Sequence, residues 1–101
     1  AVLTACRPLP GCSVREIFSF EVVSSTGWLS TSMGSYFQPQ RFVDVSSTWL
    51  KKREALELYK EEMRDYPHAR SIEAVESLAK YRGSQMGVLM AEAFVVERQI
   101  T

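Results

Sequence analysis

The chain has 101 residues, with twelve basic and twelve acidic side chains, so its formal net charge at neutral pH is zero. A chain of this length forms at most one small domain with a modest hydrophobic core. The balanced charge gives no attraction to nucleic acid or to an anionic membrane, and no apolar run approaches the roughly 20 residues of a membrane span. We therefore predict one cytoplasmic domain, residues 1–101, that binds neither nucleic acid nor membrane.

The first twelve residues predict the end of a helix followed by a short loop. The chain begins with Ala and not with Met, which we interpret as a fragment or a processed product. Residues 1–6 are expected to end a helix, because the two prolines and the glycine that follow cannot continue one. Cys6 and Cys12 enclose a loop short enough for a disulfide. Two cysteines are nevertheless far from the density of a secreted disulfide scaffold, which favours reduced thiols.

Three segments predict strands. Residues 15–23 (REIFSFEVV) are rich in β-branched and aromatic side chains and place Phe18, Phe20 and Val22 on one apolar face. Residues 41–45 (RFVDV) and 91–97 (AEAFVVE) are the second and third strands. Residues 24–40 form a polar loop, longer than the about 12–15 residues beyond which loops are usually functional or disordered. Its aromatic residues are Trp28, Tyr36 and Phe37. They either stack on a sugar ring or anchor the loop to the core, and both interpretations stay open.

Two helices are predicted between the second and third strands. The first begins near Trp49, has Ser46 or Ser47 as its cap, and continues for about four turns toward Tyr66-Pro67. The second is capped by Ser71. Two ends stay open for this second helix: Gly83 ends it as a left-handed terminator, or Met86 still belongs to it. Its apolar stripe is Ile72, Val75, Leu78, Ala79 and Met86. Strands joined through helices predict a crossover connection and an α/β layer of about three strands with two main helices.

Familiar catalytic patterns are absent from the sequence. His68 is the only histidine, whereas a catalytic zinc site takes about three protein ligands. We interpret His68 as a surface loop residue. The loop serines have no GxSxG context, and the glycines form no phosphate-binding turn.

Three acids remain as candidates because strand interiors disfavour carboxylates: Glu21, Asp44 and Glu92. Asp44 and Glu92 are expected to be structural, facing solvent or pairing with an arginine such as Arg41 or Arg82. We expect Asp44 to accept hydrogen bonds at a strand-to-helix junction. Glu21 differs, since it ends a strand immediately before the long loop, and ligands of open α/β sheets bind beyond the carboxyl ends of strands.

Three stretches together resemble the C-terminal part of the PIG-L / LmbE-like deacetylases. They are FSFEVVSSTGW from position 18, FVDVS followed by KKREALELY in residues 42–59, and YRGSQMGVLMAEAF at 81–94. The resemblance covers essentially the whole chain, and the order and separation of the last two stretches are specific. It implies a zinc-dependent hydrolase that removes the acetyl group from the nitrogen of N-acetylglucosamine or a related amino sugar, on a Rossmann-like α/β fold.

The resemblance implies no catalytic and no metal-binding residue in this chain. In the family, zinc is held by an early His-Pro-Asp-Asp motif and a later histidine in a His-Pro-Asp-His-like stretch, and the second acid of the early motif is the base. Neither motif occurs here, and Gly27 stands where the family usually has an acid. Zinc therefore belongs to the full-length family, while this chain supplies one wall of the sugar site: the substrate-binding candidates are Glu21, Ser24, Ser25, Thr26 and Trp28.

Three functional hypotheses follow. The leading one is a C-terminal segment of such a deacetylase, inactive alone, whose missing partner is the N-terminal half and whose ligand is an amino sugar. The second is a non-catalytic α/β interaction module that forms a homo-oligomer to cover an apolar face. The third is an enzyme assembled in trans, in which another chain brings the zinc motif.

Overall fold

A computed structural model describes residues 1–22, 37–59, 63–68 and 71–101. The described part is a small α/β unit made of three strands and three helices. In chain order these elements are α1 (Val2–Ala5), β1 (Glu16–Phe20), β2 (Arg41–Asp44), α2 (Trp49–Glu57), α3 (Ile72–Met86) and β3 (Ala91–Gln99). All three predicted strands are present, and α1 confirms the short helix predicted before the prolines.

The sheet has the order β1-β3-β2, so the last strand in the sequence lies at its centre. Both outer strands are antiparallel to β3, with Phe20 opposite Phe94 and Asp44 opposite Ala91. The expected crossover connection is therefore wrong: the two helices lead from β2 into a neighbouring antiparallel strand. β1 and β2 run in the same direction but are staggered along β3, because the last residue of β1, Phe20, and the first residue of β2, Arg41, both lie opposite Phe94.

Helix α3 is capped at its start as the sequence predicts and has the longer of its two predicted ends. The Ser71 hydroxyl accepts a hydrogen bond from the backbone N–H of Ala74 at 3.1 Å, and Ser71 is fully buried. Of the two predicted ends, the one at Gly83 is wrong and the continuation to Met86 is confirmed, with Gly87 as the left-handed cap at φ 74°. Gly83 lies inside the helix, where an added Cβ would come within 2.6 Å of the Val88 carbonyl oxygen. The missing side chain lets the chain fold back against α3.

Helix α2 is shorter than the predicted four turns. It ends at Glu57, and its N-cap is Thr48, without a side-chain hydrogen bond, so the predicted caps are wrong. Only Trp49 is buried in this helix, whereas Leu58 and Tyr59 beyond it are exposed. Apolar spacing alone does not extend a helix that has no surface to pack against.

The core lies where α2 and α3 meet the start of β3. Trp49, Ala79 and Met90 form its buried centre, with Val45 and Val75 packed against them. Ala91 and Ala93 of β3 are also buried. These small side chains allow α3 to approach the sheet closely, which brings the C-terminal half of α3 near the end of β1.

Candidate functional site

A two-bond ion pair joins Glu21, directly after β1, to Arg82 on α3. Arg82 Nε donates to Glu21 Oε1 at 3.0 Å, and Arg82 Nη2 donates to Glu21 Oε2 at 2.7 Å. The two side chains are only 13% and 12% exposed. This parallel, two-bond geometry is the strong form of a guanidinium–carboxylate contact, because both charges are hydrogen-bonded.

Arg82 makes further contacts on both sides of this ion pair. Its Nη1 donates to Gln85 Oε1 at 3.0 Å, one helical turn along α3. The guanidinium carbon lies 5.5 Å from the centre of the Tyr81 ring and 5.9 Å from that of Phe37. These distances fit cation–π contacts, which are strongest where water is excluded. Glu21 raises the pKa of Arg82 above its ordinary value, chiefly through its hydrogen bonds to the guanidinium.

Arg82 also connects two distant points of the sequence. Glu21 precedes residues 23–36 and Phe37 follows them, and the same guanidinium contacts both. The two ends of this segment are therefore held at one place, beside the carboxyl end of β1. We use the name Arg82 cluster for Glu21, Phe37, Tyr81, Arg82 and Gln85.

The predicted site residues differ in whether the structure describes them and in what they contact. Glu21 lies where the sequence predicts, just beyond a strand end, but Arg82 already holds both of its oxygens. The other substrate-binding candidates lie outside the described residues: Ser24, Ser25, Thr26 and Trp28. Of the loop aromatics, Phe37 contacts Arg82, while Trp28 and Tyr36 also lie outside the described residues. Contact with an amino sugar stays a prediction for all of them.

Asp44 accepts hydrogen bonds at the strand-to-helix junction, as the sequence predicts. Its Oδ1 accepts the backbone N–H of Ser46 at 2.9 Å and the Ser46 hydroxyl at 2.6 Å. These two bonds, the hydroxyl bond first, lower the pKa of Asp44 below its ordinary value. The Ser46 oxygen in turn accepts the backbone N–H of Met90 at 3.2 Å. Asp44 thereby orients a serine that joins the end of β2 to the chain entering β3.

Glu92 pairs with a lysine and not with an arginine. Its Oε1 accepts a hydrogen bond from Nζ of Lys52 on α2, and both side chains are about one third exposed. The sequence gives little signal for this contact, because Lys52 is one of three consecutive basic residues. The contact with Gln85 was likewise not predicted from the sequence, although its position three residues after Arg82 on one helix could have suggested it.

The residues present do not fit a zinc site. Within ranges 1–22, 37–59, 63–68 and 71–101, no group of three or more His, Cys, Asp and Glu side chains is placed to hold a metal ion. His68 is exposed in the turn before α3, where its backbone N–H donates to the Asp65 carbonyl at 3.0 Å. We therefore derive no metal-dependent step from these residues. None of the described helices is long and apolar enough to span a membrane.

Comparison with known proteins adds no assignment: no protein-family model, curated protein or solved structure matches this chain. The fold therefore defines the class only as a small α/β protein with a three-stranded antiparallel sheet.

Proposed function

We propose that this chain is the C-terminal part of a PIG-L / LmbE-like deacetylase with a Rossmann-like fold, in which it forms one wall of an amino-sugar site. The observation that carries the proposal is that the three stretches resembling this family are joined by hydrogen bonds. Glu21 of the first stretch binds Arg82 of the third, and Ser46 of the second binds Met90 of the third. Segments that resemble one family in sequence thus belong to one hydrogen-bonded unit, which supports a shared functional origin.

The chemistry of the Arg82 cluster suits a sugar ligand. A carboxylate has about four acceptor positions, so Glu21 can accept sugar hydroxyls while it is held by Arg82. Aromatic rings such as Phe37 and Tyr81 pack well against the apolar faces of sugar rings. The cluster also lies just beyond the carboxyl end of β1. In this proposal Arg82 positions Glu21, Glu21 binds hydroxyls, and the zinc chemistry of the family resides in residues other than those of this chain.

Without the zinc-binding motif of the family, the chain alone is expected to be inactive. The purified chain is expected to bind no stoichiometric zinc and to release no acetate from N-acetylglucosamine derivatives. Zinc bound at one ion per chain, together with turnover by this chain alone, would refute the assignment of roles. The DNA directly upstream provides the complementary test, because an open reading frame with an in-frame His-Pro-Asp-Asp motif is expected there.

Expression together with that upstream region tests the wall of the sugar site directly. Acetate release is then expected, and Glu21→Gln should raise KM more than it lowers kcat, because Glu21 binds hydroxyls and does not touch the acetyl group. Lys80→Gln, in an exposed pair with Glu76 on the same helix, is the matched control and should change neither constant. Unchanged KM in the Glu21 variant would remove Glu21 from the sugar site.

A second candidate function, a non-catalytic module that self-associates, is favoured by the exposed side of the sheet. Phe20 is 66% exposed, and it shares its face with Phe18 and Phe94, which contact each other edge to face. In the described ranges, β1 and β2 each pair only with β3, so both have an open edge. Light scattering should then detect a dimer that Phe20→Ser dissociates. A monomer at high concentration contradicts this second candidate.

A further inference from the structure

The segment between α1 and β1 brings two free thiols close together. Cys6 is partly buried at the end of α1, and Cys12 is exposed. The Cys12 backbone N–H donates to the Leu9 carbonyl at 3.0 Å, and Gly11 at φ 90° takes the left-handed conformation that closes the turn. As a result the Cys12 thiol lies 3.8 Å from the Cys6 carbonyl oxygen.

The Cys12 thiol already lies beside the backbone of Cys6. Disulfide formation then needs the Cys6 side chain to turn toward Cys12 and the turn between them to bring the two Cα atoms to about 4.4–6.8 Å apart. Among the described elements α1 packs against no strand and no other helix. Cys6 can therefore turn its sulfur toward Cys12 without disturbing the core.

Arg98 on β3 supplies a positive charge beside one of the two sulfurs. Its Nη1 lies 3.8 Å from Cys12 Sγ and also donates to the Val14 carbonyl at 3.1 Å. The bond to Val14 holds the guanidinium in place, and a cation at this distance attracts negative charge on an attacking sulfur. The two thiols are therefore not equivalent: Cys12 is exposed and next to a cation, whereas Cys6 is more enclosed.

We propose that Cys6 and Cys12 form a reversible redox site that reacts with small-molecule disulfides. The Cys12 thiolate attacks one sulfur of the oxidant RSSR, which forms a Cys12–SR bond and releases RS⁻. The Cys6 thiolate then attacks the Cys12 sulfur, which forms the Cys6–Cys12 bond and releases the second RS⁻. The two thiol protons pass to the released thiolates, so two protein thiols are oxidised and RSSR is reduced to two RSH.

Oxidised glutathione is the probe that tests this site. In wild type, the intact mass should fall by two hydrogens, and both cysteines should resist alkylation until a reductant is added. Closure within one chain outcompetes dimerisation, because short linkers give effective concentrations of about millimolar against micromolar protein. Cys6→Ser should accumulate one glutathione on Cys12, whereas Cys12→Ser should react more slowly. Glutathione remaining on both wild-type thiols, or a covalent dimer, would overturn the proposal.

The role of Arg98 has its own readout. Arg98→Gln should slow the first step at Cys12 by about fivefold at low salt, the effect of roughly 1 kcal/mol for a charge about 4 Å away in water. Arg98→Lys should restore most of the rate. The difference should shrink at high salt and vanish in concentrated urea, where the wild-type chain loses the contact. Equal rates for wild type and Arg98→Gln under folding conditions would show that the charge plays no part.

Discussion

The ion pair between Glu21 and Arg82 gives the sharpest test of the site geometry. Glu21→Gln or Arg82→Gln removes one charge and leaves the other only 12–13% exposed. Breaking a fully buried pair costs about 3–5 kcal/mol, and a hydrogen bond to a charged group contributes about 1.5–3 kcal/mol. Because some water still reaches these side chains, we expect each single variant to lose about 2–3 kcal/mol of unfolding free energy.

The double variant separates the pair from its surroundings. With both charges removed no buried charge is left unpaired, so the loss should be smaller than the two single losses added together. The expected coupling energy is about 2 kcal/mol. Urea unfolding followed by circular dichroism measures it, provided that the denaturant slope stays the same across the four proteins.

An exposed pair on the same helix provides the control. Lys80 and Glu76 are 3.7 Å apart and 65% and 27% exposed, so Lys80→Gln should change stability by no more than about 0.5 kcal/mol. A coupling energy below about 0.5 kcal/mol between Glu21 and Arg82 would refute the reasoning. It would mean that the two charges attract no better than a surface pair and that Glu21 is not held in place.

Three further predictions concern the supports of the fold. Gly83→Ala should destabilise the chain by about 1–2 kcal/mol in thermal unfolding, since the Cβ must displace the Val88 carbonyl and this outweighs the gain in helix propensity. A variant as stable as wild type, or more stable, would contradict this prediction. Ser71→Ala should cost about 1–2 kcal/mol in the same assay through loss of a buried cap, and Ser71→Thr should recover part of it. The pKa of Asp44 in an NMR titration should lie below about 3.9 and rise in Ser46→Ala. Since folding lowers the pKa of Asp44, its ionised carboxylate stabilises the folded chain above about pH 4, and this stabilisation is lost as the pH falls through the pKa of the folded state. An Asp44 pKa that Ser46→Ala leaves unchanged would rule out the hydroxyl as the cause of the shift.

Local features of the fold were predictable from the sequence. The strands, the cap at Ser71 and the bonded state of Asp44 each follow from a short run of neighbouring residues, because the determining contacts are close in sequence. Position 21 could be recognised as the end of a strand for the same reason. Its pairing with Arg82 was not predicted, because the contact depends on where a helix far along the chain packs.

Features set by distant contacts were not predictable. The apolar stripe of α2 predicts a longer helix than the chain forms, because the spacing does not say whether a packing surface exists. Gly83 and Gly87 look alike in sequence, and only the close return of Val88 toward the helix decides which one is left-handed. The antiparallel arrangement with β3 in the centre likewise depends on the path of the two helices, which local patterns do not specify.

The central place of β3 has a consequence for how the sheet assembles during synthesis. Residues 16–20 and 41–44 share no ladder with each other, because each pairs only with residues 91–99. A nascent chain that has not yet extruded its final strand therefore carries two unpaired partners and no sheet among these segments. Such late, long-range closure is slow compared with helix formation. Ribosome-associated chaperones would meet the unpaired phenylalanines of β1 until residues 91–99 emerge.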